Sequence, residues 1–285
     1  MATLSALTLY PLKSCAGIAL DSAVLTSAGL QSGTGPDLIH DREWMLVDPA
    51  GRFLSQRELP RMALVRPLPV AGALRLSAPG MAPLDLALAR DAAAAPATVV
   101  IWDDSVAATD CGDAVATWLS AFLGTPCRLV RYDPAVPRWS STQWTDGVAV
   151  PNRFSDGYPV LLAGTASLAD LNEKLRATGR APLPMDRFRP NLEIDGIGPF
   201  EEDYVDTFET PGIVLKPVKP CPRCPIPAVD QATGLVGPDP LDLLAGYRAK
   251  PALDGAICFG INCIIIDGDG LTLSVGQEVY VNLAF

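Results

Sequence analysis

The stretch Glu43-Trp44-Met45-Leu46-Val47-Asp48-Pro49-Ala50-Gly51-Arg52-Phe53-Leu54-Ser55 has the pattern of a β-hairpin. Its arms, 43–47 and 52–55, are short and largely apolar, and the four residues between them contain the Asp, Pro and Gly that favour a tight turn. Similar short apolar segments surround it, and an alternating one lies at 4–10. The pattern predicts a chain built mainly from short strands. Further strands are expected at 73–76, 84–88, 98–102, 128–132 and 158–162.

Three segments have helical spacing instead. In 112–123 apolar residues recur at intervals of three and four, and Gly124 follows as a stop signal. A second helix is expected from a capping-box-like start at Ser167 to Gly179, and a short one over 240–247. The chain therefore reads as α+β, mainly β, and rich in β-barrel, with a few short helices. Later strands are predicted at 191–194, 213–218, 257–266, 271–274 and 278–281.

The length of 285 residues suggests about two domains. The first helix is expected to close a strand-rich, barrel-like N-terminal domain over 1–125, and a second domain would cover 126–285. Between 133 and 156 the sequence is polar, contains several Pro, Ser and Thr residues and has no clear period. Long segments of this kind are often functional loops, so we expect it to cover a site.

The composition excludes several classes of protein. Apolar residues make up 49% of the chain, which excludes intrinsic disorder, and the net charge of −10 argues against binding to nucleic acid or to an anionic membrane. No apolar run reaches the ~18 residues of a membrane span, and the start lacks the basic region of a signal peptide. The seven cysteines are an odd number scattered through the chain, so we expect reduced thiols and a cytoplasmic location.

The sharpest local motif is Pro-Cys-Pro-Arg-Cys-Pro-Ile-Pro at 220–227. A thioredoxin-type dithiol would open a helix, which the prolines oppose. A structural zinc site would need Cys258 and Cys263 as further ligands. A single thiolate could instead bind a soft metal, favoured by Arg223 beside it. The remaining alternative is a proline-rich loop with incidental cysteines.

Basic residues recur beside strand ends or turns although the chain is acidic. If they converge with Arg223, they form an anion pocket, because a guanidinium offers a planar fork for phosphate. Neutral hydrogen bonds could come from Ser14 and Asn191. A thiolate next to such a pocket is what a metal carried on a phosphorylated organic cofactor requires. The other candidates are Lys13, Arg42, Arg187 and Arg189.

In these motifs the chain resembles the MOSC superfamily, with the N-terminal β-barrel domain that accompanies it, and in particular its amidoxime-reducing molybdenum enzymes. The resemblance covers essentially the whole chain, and its motifs follow in the expected order. They are Tyr-Pro-Leu-Lys-Ser-Cys-Ala-Gly at 10–17, Asp-Arg-Glu-Trp at 41–44, Tyr-Pro-Val-Leu-Leu at 158–162, Arg-Phe-Arg-Pro-Asn at 187–191, Pro-Phe-Glu-Glu-Asp at 199–203 and Cys-Pro-Arg-Cys at 221–224.

The resemblance implies a molybdenum cofactor of the molybdopterin type, with Cys224 as metal ligand and catalytic residue, and Cys221 at a position that is not a ligand. It also implies reduction of N-hydroxylated compounds such as amidoximes and hydroxylamines. The alternative is a non-catalytic carrier of the cofactor or of persulfide sulfur. The residues that fall on motifs holding the pterin and its phosphate are Lys13, Ser14, Arg42, Arg187, Arg189, Asn191 and Arg223.

Electrons for such a reaction are expected to come from another protein. The sequence has no Gly-x-Gly-x-x-Gly strand-to-helix turn and no spare cysteine set for an iron–sulfur cluster. The resemblance also implies a ferredoxin-like domain in many bacterial members and a membrane anchor in mitochondrial ones, and we expect neither in this protein. We therefore expect a separate donor, either ferredoxin-like or a b-type cytochrome with its reductase.

Overall fold

The computed structural model of the protein describes residues 1–284, with twenty-two strands and three α-helices. The first strands are β1 (Ala2–Leu9), β2 (Ile18–Leu20), β3 (Ser22–Thr26), β4 (Gly29–Ser32), β5 (Ile39–His40), β6 (Trp44–Val47), β7 (Arg66–Val70), β8 (Ala73–Ser77), β9 (Leu84–Ala87), β10 (Pro96–Ile101) and β11 (Asp104–Asp110). They are followed by β12 (Arg128–Tyr132), β13 (Arg138–Trp139), β14 (Pro151–Asn152), β15 (Val160–Gly164), β16 (Leu192–Asp195), β17 (Val205–Thr210), β18 (Ile213–Pro222), β19 (Ala249–Lys250), β20 (Ala256–Asp267), β21 (Thr272–Ser274) and β22 (Glu278–Leu283). The helices are α1 (Asp113–Leu123), α2 (Thr165–Ala177) and α3 (Leu241–Leu244).

The hairpin predicted around 48–51 is present. The Asp48 amide donates to the Arg52 carbonyl oxygen at 2.8 Å, and the Asp48 side chain accepts from the Ala50 amide at 2.9 Å. Gly51 supplies the left-handed φ of 80° that the turn needs, and a Cβ there would lie only 3.3 Å from the Thr98 carbonyl oxygen. Glycine is therefore the residue that this turn accepts most easily.

Seven strands close into a barrel, which confirms the predicted fold class of a mainly β, barrel-rich chain with few helices. The ring runs β15, β16, β1, β22, β17, β18 and β20, and β20 pairs back to β15. Every pair in the ring is antiparallel except β15–β16. In β1 the buried side chains of Leu4, Leu7 and Leu9 face the core, and a bulge between Leu4 and Ala6 shifts the alternation. Closure leaves the barrel strands with no free sheet edge.

The two parts of the chain interleave. Strand β1 is part of the barrel and lies between two strands from the second half of the chain, β16 and β22, and β3 pairs with β21. Three smaller sheets, β10-β11-β12-β6, β7-β8-β9 and β21-β3-β4-β5, surround the barrel. The expected boundary between 125 and 126 falls in the loop after α1, and a division into domains at that point stays a prediction.

The helices follow the apolar spacing, with two corrections. In α1 the buried Trp118, Leu119 and Phe122 share one face, as predicted. The capping box at Ser167 is wrong, because α2 begins two residues earlier, at Thr165, and the Ser167 hydroxyl donates to the Glu202 carboxylate at 2.7 Å. The third helix is a single turn, shorter than the predicted 240–247. No helix within 1–284 has the length and apolarity to cross a membrane.

The polar segment 133–156 is a long connection held down by one arginine. The Arg138 guanidinium donates to the carbonyl oxygens of Arg153 (2.9 Å) and Ser155 (2.7 Å) and contacts Asp104. Two short strands, β13 and β14, pair within it, and Phe154 is fully buried. These contacts fix the following residues, Ser155 and Asp156, at the mouth of a cleft, so the segment does border a site.

Candidate functional site

A cleft of about 110 Å³ lies where the loop after β1, the loop before β16 and the end of β18 meet. The structure brings seven of the eight predicted site residues into its lining, although they are separated by up to two hundred residues in sequence. Those seven are Lys13, Ser14, Arg42, Arg189, Asn191, Arg223 and Cys224.

The backbone of the cleft is strained. Ser14, Arg42 and Arg189 have left-handed φ values of 64°, 47° and 56°, and Trp102 has 54°. These four make up most of the seven non-glycine residues with such φ in the part of the chain that the structure describes. Each left-handed residue costs about 1–2 kcal/mol, and such residues cluster where function demands a geometry that packing alone would not choose. The clustering marks the cleft independently of its sequence motifs.

Lys13 is buried at one end of the cleft. Its Nζ donates to the Phe154 carbonyl oxygen at 2.9 Å and to Asp156 Oδ1 at 2.6 Å. Burial lowers the pKa of Lys13, and Asp156 opposes this effect. The ion pair with Lys13 and the hydrogen bond from the Trp102 indole N–H at 3.1 Å hold the pKa of Asp156 well below its usual range. Asp156 therefore stays ionised and cancels the charge of Lys13.

Arg42 is held from behind by two side chains. Its Nη1 donates to Asp41 Oδ2 at 2.5 Å and to Asn191 Oδ1 at 2.9 Å. The Asn191 amide group also donates to Asp41 Oδ1 (2.9 Å) and to the Thr8 carbonyl oxygen (3.1 Å), while its oxygen accepts from the Leu161 amide. Asn191 thus has its hydrogen-bonding groups engaged within the protein. It lines the cleft as the residue that positions Arg42.

Arg189 has a different environment. The residue is 8% exposed, and its guanidinium carbon lies 4.3 Å from the centre of the Tyr10 ring, which Arg42 also contacts at 4.5 Å. Burial lowers the pKa of Arg189, and among residues 1–284 its guanidinium has neither a hydrogen-bond acceptor nor an ion-pair partner. A largely desolvated guanidinium that faces a cleft in this way is a strong donor for an anionic ligand.

Arg187 is the predicted site residue that the structure does not bring to the cleft. Its Nη1 donates to the carbonyl oxygens of Pro227 and Ala228 at 3.2 Å, and its Nη2 donates to Asp230 Oδ2 at 2.6 Å. It therefore fixes the loop that follows Cys224. Arg187 and Arg189 lie in the same turn, but Arg187 holds the loop after Cys224 whereas Arg189 lines the cleft. The sequence motif alone does not distinguish these two roles.

The cysteine loop follows directly from β18. The Arg223 guanidinium donates to the Phe188 carbonyl oxygen at 2.9 Å and to Cys221 Sγ at 3.2 Å, so it ties the loop to the turn that carries Arg189. Cys221 and Cys224 are both half-buried free thiols and both line the cleft. A short 3-10 turn, Ile226–Ala228, follows the motif in place of the helix that a thioredoxin-type dithiol would open.

The structural-zinc alternative fails on geometry. Cys263 is fully buried on β20 opposite Pro217, in the part of the barrel away from the motif. Among residues 1–284 no three His, Cys, Asp or Glu side chains are grouped in a way that could hold a metal ion. The geometry leaves two alternatives, a single thiol of Cys224 facing the cleft as a metal ligand and a proline-rich loop with incidental cysteines.

Sequence reasoning missed the aromatic and polar rim. Trp102 comes from the turn between β10 and β11, a turn without any motif, and the Arg57 guanidinium carbon lies 4.5 Å from its ring centre. Behind the rim, the fully buried Gln56 donates to the Ser14 carbonyl oxygen at 2.8 Å and exchanges amide hydrogen bonds with Gln231. For Gln56, the sequence does offer a signal, because a polar glutamine stands directly after the largely apolar hairpin arm 52–55. Nothing in the sequence points to Trp102.

Comparison with known proteins identifies the family. Residues 1–126 match the MOSC N-terminal beta barrel domain, and residues 150–280 match the MOSC domain. The chain belongs to the MOSC-domain proteins that carry this N-terminal barrel domain. This confirms the resemblance seen in the motifs, and membership supports a function connected with the molybdenum cofactor.

Individual relatives are similar over nearly the whole chain. It is 32% identical to mitochondrial amidoxime reducing component 2 of Rattus norvegicus, across 98% of this chain and 82% of that protein. It is 31% identical to mitochondrial amidoxime-reducing component 1 of Homo sapiens with the same coverage. It is also 31% identical to the molybdenum cofactor sulfurase of Oryza sativa subsp. japonica, over 97% of this chain but 35% of that protein.

Proposed function

We propose that the protein is a molybdenum-cofactor-dependent oxidoreductase that reduces N-hydroxylated compounds, namely amidoximes and hydroxylamines. The observation that carries the proposal is the cleft itself, in which a free thiol, Cys224, and a guanidinium with no acceptor among residues 1–284, Arg189, line the same space. The similarity to proteins named amidoxime reducing component, over 98% of the chain, supports the same reaction class.

The residues present fit a phosphorylated pterin that carries a metal. A phosphate needs desolvated cationic donors, and the guanidinium of Arg189 has its hydrogen-bonding capacity free of protein acceptors among residues 1–284. A soft metal prefers a sulfur ligand, and the free Cys224 presents its sulfur in the cleft. Lys13, Ser14 and Arg42 would hold the remaining polar edges of the cofactor. When bound, the cofactor would supply two-electron redox chemistry, which amino-acid side chains lack.

The chain's own contribution is positioning and charge. Reduction of an amidoxime consumes two electrons and two protons and releases an amidine and water. The Lys13–Asp156 pair and the Asp41–Asn191 brace fix cations on the cleft wall before any ligand enters. The exposed rim of Trp102 and Arg57 lies at the mouth, where it would contact a substrate entering the cleft. A separate electron-transfer protein is proposed as donor, and the cytoplasmic location stays a prediction.

The decisive experiment is production in a host that makes the cofactor, followed by metal analysis and fluorescence detection of oxidised pterin. The molybdenum-loaded protein should convert a simple aromatic amidoxime to the amidine with reduced viologen as artificial donor, and should turn over poorly with NADH alone. Product formation is followed by chromatography. Rapid turnover with NADH alone would contradict the need for a separate donor.

The same experiment separates the alternative function. The 31% identity to a molybdenum cofactor sulfurase favours, as second candidate, a carrier that binds the cofactor or persulfide sulfur without turnover. A carrier would retain molybdenum or a sulfane sulfur atom on Cys224 and would reduce neither amidoximes nor hydroxylamines with viologen. A protein that holds neither molybdenum nor pterin would contradict both functions.

A further inference from the structure

A second cationic cavity lies behind one wall of the cleft. It has a volume of about 340 Å³, and three arginines and the only histidine of the chain line it. The arginines come from three separate parts of the sequence: the loop after β9, strand β12 and the connection after β14. The four residues are His40, Arg90, Arg131 and Arg153.

One carboxylate among the lining residues, Glu43, faces these cations. Arg131 Nε donates to Glu43 Oε1 at 2.7 Å, Arg90 Nη2 donates to the same oxygen at 3.3 Å, and the His40 backbone amide donates to Oε2 at 3.1 Å. Glu43 is 1% exposed and therefore fully engaged. Among the lining residues one carboxylate faces three guanidinium groups, so the lining itself carries an excess of positive charge in a chain of net −10.

Two of the guanidinium groups keep donors that the protein does not use. Arg131, 8% exposed, donates through Nη1 to the Leu88 carbonyl oxygen at 2.7 Å, and its Nη2 has no acceptor among residues 1–284. Arg90 donates through Nη1 to the Tyr132 carbonyl oxygen, and its side chain remains 41% exposed. A buried guanidinium with a free donor facing a cavity is a feature that an anionic ligand would satisfy.

His40 adds a neutral donor. Arg153 Nη2 lies 3.1 Å from His40 Nδ1, and because a guanidinium only donates, Nδ1 must accept, which places the ring proton on Nε2. Burial and the neighbouring Arg153 lower the pKa of His40 to about 4, so the ring is neutral at pH 7. The imidazole thus offers an N–H without adding a charge. The other carboxylates near the arginines are Asp133, by Arg90, and Asp41, by Arg153.

The cavity is distinct from the cleft although the two share a wall. Within 40–43, the Arg42 side chain lines the cleft whereas His40 and Glu43 line the cavity. Within 153–156, Asp156 lines the cleft and Arg153 the cavity. The Phe154 amide donates to the Arg42 carbonyl oxygen at 3.1 Å and joins the two segments.

We propose that this cavity is a second anion site, which binds a phosphate group through Arg90, Arg131 and His40. A tetrahedral oxyanion suits guanidinium donors that approach from different elements. The volume exceeds that of a free phosphate ion, and Leu38 and Leu88 provide apolar walls, so the natural ligand is assigned to the class of small phosphate monoesters.

The test uses titration calorimetry with inorganic phosphate at constant ionic strength. The parent protein, prepared without cofactor, should bind phosphate in both the cleft and the cavity, and Arg189→Gln should leave one class of site. In the Arg189→Gln background, Arg90→Gln should weaken phosphate binding roughly tenfold, because it removes a charge-assisted hydrogen bond. Arg90→Lys should weaken it less, since the charge is kept.

The matched control is Arg75→Gln in the same background, because Arg75 pairs with Asp85 on the exposed surface of a hairpin and neither residue lines the cavity. Melting curves without phosphate verify that each variant folds. Equal phosphate affinity in the Arg90→Gln and Arg75→Gln proteins would overturn the proposal, as would the absence of binding once Arg189 is replaced. Either result would mean that Arg90 and Arg131 serve only to neutralise and position the buried Glu43. Because Arg189→Gln is expected to abolish phosphate binding in the cleft, the titration in this background reports on the cavity alone. Failure of this proposal is therefore distinguishable from failure of the proposed function.

Discussion

The two walls of the cleft hold their positive charges in different ways. On the wall from the first part of the chain, Lys13 pairs with Asp156 and Arg42 with Asp41, so each cation has a carboxylate within 2.6 Å. On the opposite wall, Arg189 packs on Tyr10, and Arg223 contacts a carbonyl oxygen and a sulfur, with no ion pair to either among residues 1–284. The first wall is a neutralised scaffold, and the second carries the free positive charge.

The difference has a physical consequence. A paired cation that is removed leaves a buried carboxylate without a partner, which costs stability whether or not a ligand is present. A cation without a protein partner contributes little to the fold and much to a bound anion. The two walls should therefore respond to mutation in separable ways.

The largest effect is expected on the wall that carries the cysteine loop. Cys224→Ser should abolish molybdenum retention and amidoxime reduction, because a hydroxyl is a poor ligand for a soft metal. Cys221→Ser is the matched control three residues earlier, and it should keep most of both. Metal analysis measures molybdenum retention, and the viologen assay measures amidoxime reduction. Equal loss of metal from the two variants would indicate a two-cysteine site.

Replacement of the two arginines that share the Tyr10 ring should separate ligand binding from stability. Arg189→Ala should weaken cofactor retention by a factor of ten or more, since a charge-assisted hydrogen bond contributes about 1.5–3 kcal/mol, while it lowers the free energy of unfolding by about 1 kcal/mol from the lost ring contact. Arg42→Ala should destabilise the protein by about 3–5 kcal/mol, because the buried Asp41 loses the cation that pairs with it and keeps only neutral hydrogen-bond donors.

Denaturant unfolding and pterin fluorescence measure the two effects. Arg180→Ala serves as the control, since Arg180 pairs with the exposed Asp242 outside the cleft, and it should retain pterin as the parent does. If Arg189→Ala retains pterin equally well, Arg189 is not an anchor. If Arg42→Ala is as stable as Arg189→Ala, the contrast between the walls is wrong.

A smaller effect on ligand binding is expected when the negative charge of Asp156 is removed, which tests the contrast between the two walls from the other side. Asp156→Asn leaves an acceptor for Lys13 Nζ but frees its charge, so the first wall should become more like the second. We expect phosphate to bind the cofactor-free protein about two- to fivefold more tightly, the range of an exposed ion pair of up to 1 kcal/mol. Calorimetric titration tests this, with Asp85→Asn as the control of equal charge change. An unchanged affinity would mean that Asp156 does not neutralise the cleft.

The smallest expected effect concerns pH. The pKa of Asp156 is lower in the folded protein than its unfolded value of about 3.9, so the pair contributes stability that is fully present above that value and lost only as pH falls through the folded pKa. Because the Asp156 side chain is 71% exposed, that contribution is small. The difference in melting temperature between parent and Asp156→Asn should therefore be the same at pH 7 and pH 5. A difference that disappears between these values would place the folded pKa higher.

Much of the fold follows from local pattern. The hairpin at 48–51, the buried face of α1 and the alternation in β1 all appear where short-range spacing predicts them, because a strand or helix face must bury its apolar residues. The pairing of β1 with β22 is not visible in that pattern. Partners almost three hundred residues apart are selected by closure of the barrel, which no local preference encodes.

In the candidate site, too, some features follow from the sequence and others from the tertiary structure. The sequence by itself determined which residues are candidates for the chemistry, since a thiol in a proline-rich loop and basic residues at strand ends are chemical facts about the chain. Only the tertiary structure decided that Arg189 enters the cleft while Arg187, two residues earlier, holds the loop after Cys224. The left-handed backbone at Arg189 turns that side chain toward Tyr10. Direction of this kind depends on the packing around the turn, and packing is a property of the folded molecule.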